Sequence, residues 1–133
     1  MRAVSPLLSL VLFAGLALLL VQGAAKTRAN QIEGVVSFVN DGDTFQIAGH
    51  AYSIRLWGID APERDTQAGQ NAQAFMRSLI RGKTLRCQKK AVDKYRRTVA
   101  RCYLGEDDIS KLALNAGHGV EMCRFTSNAY GTC

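Results

Sequence analysis

No two cysteines in this chain stand two to four residues apart, so it lacks the ligand spacing of a structural zinc site. It has no internal repeat and no low-complexity segment, which excludes a solenoid and a disordered tail. It also has no charge at all between Ala3 and Ala25, although the remainder is rich in charge. The apolar residues are therefore unevenly spread, and the overall figure of 47% apolar misdescribes the part that folds.

The uncharged stretch follows Arg2, is almost wholly apolar from Leu7 to Val21, and ends in Gly23-Ala24-Ala25. A cation, a short apolar run and small residues make a secretory signal peptide, with Ala25/Lys26 as the expected cut. A retained anchor is the alternative, because 23 uncharged residues can cross a bilayer. The expected division is residues 1–25 as signal or anchor and 26–133 as one domain. That domain has 108 residues, with 16 Lys and Arg against 11 Asp and Glu, a net charge of +5. Its apolar content is about 42%, ordinary for a globular domain. A basic exported domain points to an anionic partner, either nucleic acid or a membrane surface. Cys87, Cys102, Cys123 and Cys133 all lie in it, and an even number in an exported chain predicts two disulfides.

After a polar lead-in (Lys26 to Asn30), Ile32 to Val39 is rich in strand formers. Asn40-Asp41-Gly42-Asp43 is a turn, Thr44 to Ala48 alternates, Gly49-His50 is a second turn, and Ala51 to Trp57 alternates again. Tyr52, Ile54 and Leu56 share one face of that third strand. Gly58 to Asp65, with Gly58, Pro62 and packed charge, reads as irregular. Ala68, Ala72, Phe75, Met76, Leu79 and Ile80 then follow helical spacing, with Thr66 as N-cap and Gly82 as stop. Lys83 to Gln88 and Arg97 to Leu104 form two strands around a charged loop. Asp107 or Asp108 caps a short helix, Ile109 to Ala116, ended by Gly117, and Val120 to Cys133 is an irregular tail. Three consecutive strands leave no room for crossovers, which excludes a doubly wound sheet. The order β-β-β-α-β-β-α predicts a mainly β protein with two or three helices, a five-stranded Greek-key barrel of the OB type.

The acidic residues gather. Asp41 and Asp43 flank Gly42, and Asp60 and Glu63 follow the third strand. Each pair alone is compatible with turn chemistry. The meander brings both to one rim of the barrel, where four carboxylates call for a hard divalent cation, Ca²⁺ or Mg²⁺. With Gly49-His50 as a two-residue loop, Thr44 lies opposite Arg55, Phe45 opposite Ile54, and Ile47 opposite Tyr52. Arg55 then stands near the rim. Strict alternation turns Asp43 to the other face unless the turn swings it out. A second cluster, Lys83 to Arg101, holds eight cations and one acid, Asp93, with Tyr95 inside it. It suits a phosphate backbone, and arginine gives bidentate contacts there. Carboxylates for a metal, a spare carboxylate and arginines form a set that hydrolyses phosphodiesters.

Val-Asn-Asp-Gly-Asp-Thr-Phe (39–45), Ile-Arg-Leu-Trp-Gly-Ile-Asp-Ala-Pro-Glu (54–63) and Asp-Lys-Tyr-Arg-Arg-Thr-Val-Ala (93–100) resemble the staphylococcal nuclease (thermonuclease) family, over about Ile32 to Phe125. The resemblance implies an OB-fold, Ca²⁺-dependent nuclease that cuts DNA and RNA at the 5′-oxygen and leaves 3′-phosphates. By motif, Asp43, Asp60 and the carbonyl of Ala61 resemble the calcium ligands. Glu63 resembles the residue that positions or deprotonates the attacking water, and Arg55 and Arg97 the phosphate-binding arginines. Asp41 and Thr44 stand behind the ligands. Lys94 and Tyr95 resemble contacts to a terminal phosphate, to which Arg96 adds affinity. Arg96 replaces the glycine usual in the family's third motif, and Cys123 and Phe125 replace tyrosines near the base. Cys87 and Cys102 pair across adjacent strands. A Cys123–Cys133 loop is expected to replace the stabilising effect of the staphylococcal enzyme's last helix.

The remaining expectations are structural: His50 an exposed turn residue, His118 structural, Trp57 and Tyr52 barrel packing, Phe75, Met76 and Leu79 helix core. The resemblance implies no protein partner, and a monomer is expected. The membrane enters only if residues 3–25 are retained. Two other function classes fit the residues less well. A non-catalytic OB module that binds nucleic acid would not need the acidic set, and a tethered basic domain on acidic lipid leaves the carboxylate rim unexplained.

Overall fold

In the computed structural model, residues 29–133 are described, so the expected signal segment 1–25 lies outside the described residues. Alternating apolar residues and tight turns build β1 (Gln31–Val39), β2 (Thr44–Ile47) and β3 (Ile54–Leu56) into an antiparallel meander. Phe45 lies opposite Ile54 and Thr44 opposite Arg55, as the alternation predicts. A two-residue strand, β4 (Ile59–Asp60), follows. Then come α1 (Gln67–Ile80), β5 (Thr84–Val92), β6 (Thr98–Leu104), β7 (Asp107–Asp108), α2 (Ile109–Asn115), β8 (Val120–Glu121) and α3 (Cys123–Thr126).

The main sheet runs β3-β2-β1-β5-β6-β7. It closes because β3 also pairs in parallel with β6, with Ile54 beside Thr98 and Leu56 beside Ala100. Five strands thus make the barrel, and three helices accompany it among the described residues. β4 and β8 form a separate small ladder. Inside the barrel lie Val36, Val39, Phe45, Ile54, Leu56 and Leu85, with Met76 and Ile80 of α1 closing one end. Each of the larger side chains contributes about 2–3 kcal/mol by leaving water. Cys87 lies directly opposite Cys102 and is bonded to it, and Cys123 is bonded to Cys133. No described helix is long and apolar enough to cross a membrane.

The caps fall where the sequence puts them. Thr66 Oγ1 accepts from the Gly69 amide at 3.0 Å, an interaction of about 1 kcal/mol. Gly82, at φ +75°, turns the chain out of α1. The Asp108 carboxylate caps α2 through the Ser110 amide at 2.9 Å and also takes Arg101 Nε at 2.6 Å. His118 lies against Phe75, ring centroids 4.6 Å apart.

Several expectations are corrected. The second turn is wider than Gly49-His50, because the Ser53 carbonyl already accepts from the Thr98 amide and so belongs to the β3–β6 seam. Ile47 therefore does not face Tyr52, which is 44% exposed and outside the core. Trp57 is likewise not among the buried core residues; its ring lies 5.9 Å from that of Tyr130. His50 is half-buried, with Nε2 3.4 Å from Thr98 Oγ1. Ala68 is exposed, and Gly69 takes its place on the buried face of α1. Lys89 to Val92 is strand rather than loop: backbone pairing with β6 carries it, although its side chains are solvated. Ile59–Asp60 and Val120–Glu121 are not irregular, because each supplies the other's ladder partner across the chain.

Candidate active site

The turn between β1 and β2 delivers the first carboxylates. The Asp43 amide donates to Asp41 Oδ1 at 3.0 Å, an Asx turn that swings the Asp43 side chain off the strand's alternation. This resolves the face on which strict alternation would have put it. Asp43 Oδ1 accepts from Thr44 Oγ1 at 3.0 Å, and Oδ2 from the Ala61 amide at 2.8 Å. Arg55, placed opposite Thr44 by the β2–β3 register, brings Nη2 to 3.3 Å from Asp43 Oδ2 and 3.0 Å from Asp60 Oδ1. Its Nη1 donates to the carbonyls of Leu56 at 2.8 Å and Ile59 at 2.6 Å. One guanidinium thus ties two carboxylates to the backbone of β3 and β4.

Helix α1 braces these loops from below. A Cβ on Gly42 would lie 2.7 Å from Ala72 Cβ and 2.8 Å from Ala61 Cβ. A Cβ on Gly69 would overlap the Glu63 carbonyl oxygen. Glycine at both positions lets the acidic turn, the Ala61–Glu63 loop and α1 touch. Gln73 Nε2 adds a bond to the Asn40 carbonyl at 2.8 Å. The Glu63 carbonyl accepts from Thr66 Oγ1 at 2.7 Å, so the helix cap also sets the Glu63 backbone, while its side chain stays exposed.

Asp41, Asp43, Asp60 and Glu63 line one cavity of about 340 Å³, together with Ala61, Arg55, Tyr95 and Arg97. All four acidic residues of the rim therefore border the same cavity. Burial pushes the Asp43 carboxyl up to about 6, against the pull of Arg55 and the Ala61 amide and with a further push from Asp41. A second, more apolar groove of about 420 Å³ shares Arg55 and Arg97, and includes Trp57, Val92 and Phe125 among its walls. Phe125 is exposed on that groove, whereas Cys123 is committed to its disulfide.

The basic residues divide. Asp93 organises the β5–β6 turn by accepting from the amides of Tyr95 and Arg97, both at 2.9 Å, and from Arg97 Nε at 2.7 Å. Although burial works against it, these bonds hold the Asp93 carboxyl below its ordinary range. Arg97 Nη1 reaches Thr44 Oγ1 at 3.4 Å, at the acidic rim. Tyr95 is 67% exposed, with Lys94 Nζ 5.0 Å from its ring centre. Arg96 is not brought to the cavity. It stands at φ +66°, where the family motif has glycine, and its Nη2 donates to Tyr52 Oη at 2.7 Å. Sequence reasoning missed Asp93, Gly42 and Gly69 as organisers of the site. An acid at the start of the basic turn and small residues beside the motifs were the available signals.

Residues 53–130 match a family model described as "Staphylococcal nuclease homologue". An "Uncharacterized endonuclease" of Escherichia coli is 34% identical over 89 residues, covering 65% of this chain and 58% of its own length. One of the same description from Haemophilus influenzae is 32% identical over 75 residues, 54% of this chain and 42% of its own. A "Probable endonuclease" of Meyerozyma guilliermondii is 28% identical over 125 residues, 68% and 54%. The chain spans about half the length of the curated relatives it matches.

Proposed function

The chain belongs to the staphylococcal nuclease homologue family, and on that premise we propose that it is a calcium-dependent nuclease, hydrolysing DNA and RNA at the 5′-oxygen to leave 3′-phosphates. The observation that carries this is the meeting of Asp43 and Asp60 on one nitrogen of Arg55, at a cavity that also holds Glu63 and Arg97.

The donor chemistry fits a hard dication. Among the described residues no three His, Cys, Asp or Glu side chains form a ready cluster. Two carboxylates, Asp43 and Asp60, with the carbonyl of Ala61, supply oxygen alone, and water and substrate phosphate complete such sites. The raised Asp43 carboxyl marks a buried negative charge that Arg55 does not fully compensate. When bound there, a calcium ion would supply positive charge to offset an anionic phosphate and polarise it.

The chain's own residues do the rest. Glu63, exposed at the rim with its backbone set by the α1 cap, takes a proton from the attacking water or aims it. Arg97, held by Asp93, and Arg55 face charge as it builds on the phosphoryl oxygens. Tyr95, at the cavity, and Lys94, beside its ring, would take a neighbouring phosphate, with Asp41 and Thr44 steadying Asp43. The two disulfides support a secreted or periplasmic location behind an export signal at residues 1–25.

The test is to incubate the domain with single-stranded DNA or RNA in Ca²⁺ and in EDTA. The expected result is calcium-dependent shortening to products ending in 3′-phosphate. Binding without cleavage in either condition would replace this reading with a non-catalytic nucleic-acid module.

A further inference from the structure

Asp60 is held from behind. Its strand β4 pairs with β8, Ile59 opposite Glu121 and Asp60 opposite Val120, and the Met122 amide donates to the Gly58 carbonyl at 2.9 Å. The Ile59 carbonyl carries the link into the site, accepting from Arg55 Nη1 at 2.6 Å. Close contact is enforced by two glycines. A Cβ on Gly119 would lie 2.8 Å from the Ile59 side chain and 2.9 Å from the Asp60 carbonyl oxygen. One on Gly58, at φ +81°, would lie 2.7 Å from Thr126 and 2.8 Å from Tyr130.

Ile59 is wholly buried in the core, but the β8 side of the ladder is thinly covered, Val120 being 66% exposed, so β8 gains little from apolar burial. Its anchor is Glu121. That buried carboxylate accepts from Thr126 Oγ1 at 2.6 Å and the Tyr130 amide at 3.0 Å on one oxygen. The other oxygen accepts from the Thr132 amide at 2.9 Å and Thr132 Oγ1 at 2.8 Å. All four donors lie within the segment closed by the Cys123–Cys133 disulfide. Hydrogen bonds to a charged acceptor are the strong ones, so the loop is wound around a single carboxylate. Tyr130 ties the loop onward, its hydroxyl donating to Asp108 Oδ2 at 3.2 Å. Both cysteines of this bridge are exposed, whereas Cys87 and Cys102 are wholly buried.

We propose that Glu121 is a positioning residue which, with the Cys123–Cys133 loop, sets the place of Asp60 and so the affinity of the site for its dication. This rests on the reading of Asp60 as a cation ligand. The exposed bridge makes the link sensitive to reduction. A dithiol reductant gives two electrons and two protons to Cys123–Cys133 and leaves as its own disulfide, while the buried bridge of the barrel stays closed.

The test is calorimetric calcium titration of the wild type, Glu121→Ala, Glu121→Gln and Cys123→Ser/Cys133→Ser, with hydrogen exchange followed at Met122 and across the barrel strands. The expected result is a calcium Kd raised about tenfold or more in Glu121→Ala and in the double variant, as for residues that orient a ligand from behind. The Met122 amide then exchanges faster, and β1, β2 and β5 keep their protection. Glu121→Gln keeps the size and one acceptor of the side chain, and its loss is smaller with the barrel intact. Wild-type binding with unchanged affinity in Glu121→Ala and the double variant overturns the positioning role and leaves the cation site standing. Affinity that falls only as the barrel loses protection also overturns it. A wild type that takes up no calcium overturns the reading of Asp60 and the role together.

Discussion

At the acidic rim, Asp43 is satisfied across the barrel mouth, by the Ala61 amide and the Arg55 guanidinium. In the basic turn, Asp93 is satisfied within four residues, by the amides of Tyr95 and Arg97 and the Arg97 side chain. The rim therefore exists only while β2, β3, β4 and α1 are packed together. The turn carries its own geometry and needs only the β5–β6 ladder below it. Damage to the fold should reach the carboxylates first and Arg97 last.

The two arginines should separate these regions most sharply. Arg55→Ala leaves Asp43 buried and without its cation, with side chains only 11% and 9% exposed in the native pair. It should lower stability by about 3 kcal/mol and suppress cleavage by 10³ or more, on the order of a lost buried partner plus a lost transition-state contact. Arg97→Ala should cost about 10²–10³ in kcat with the melting temperature within a degree or two, since its ion pair is local and partly exposed. Thermal melts and kinetics on the two variants check this, and equal destabilisation would erase the contrast.

Breaking the disulfides comes next in size. Each closes a short loop, 15 and 10 residues in separation, worth about 3 kcal/mol in the chain-entropy account. Full reduction should lower the melting temperature clearly, measured by calorimetry with and without reductant. An unchanged melt would remove the bridges from the account of stability.

The smallest effect concerns acid. Burial opposes it, but four hydrogen bonds hold the Glu121 carboxyl down to about 2, against an ordinary 4.5. The folded state then holds this proton less tightly than the unfolded chain. The resulting stabilisation is complete above pH 4.5 and is lost as the pH falls toward 2. Glu121→Gln should flatten that part of the stability–pH curve, read from melts across the range. An unaltered acid limb would mean that the C-terminal loop draws nothing from this carboxylate.

The same contrast explains what the sequence made legible. Local signals carried the turn at Asn40–Asp43, the Thr66 cap, the Gly82 stop and the strands that alternate cleanly, and these sufficed for the barrel. The residues that meet at the site stood in motifs with recognisable order. The β4–β8 ladder was invisible because two-residue strands have no period, and pairing across the chain creates them. Lys89 to Val92 looked like a loop because its strand character lies in backbone bonds to β6, not in apolar side chains. The second turn runs wider than Gly49-His50 suggests because the seam with β6 claims Ser53. Gly42 and Gly69 matter for atoms they lack, which no reading of side-chain chemistry finds.

In this reading the attacking water depends on the acidic rim, through Glu63, while the basic turn contributes Arg97 to the phosphoryl charge. Glu63→Gln tests it most directly, with calcium uptake measured by calorimetry and turnover measured on a single-stranded oligonucleotide. Glu63 faces the cavity without bonding Asp43, Asp60 or Arg55 among the described contacts. Calcium and oligonucleotide binding should stay close to wild type, with turnover down by about 10² or more. Turnover close to wild type would contradict it.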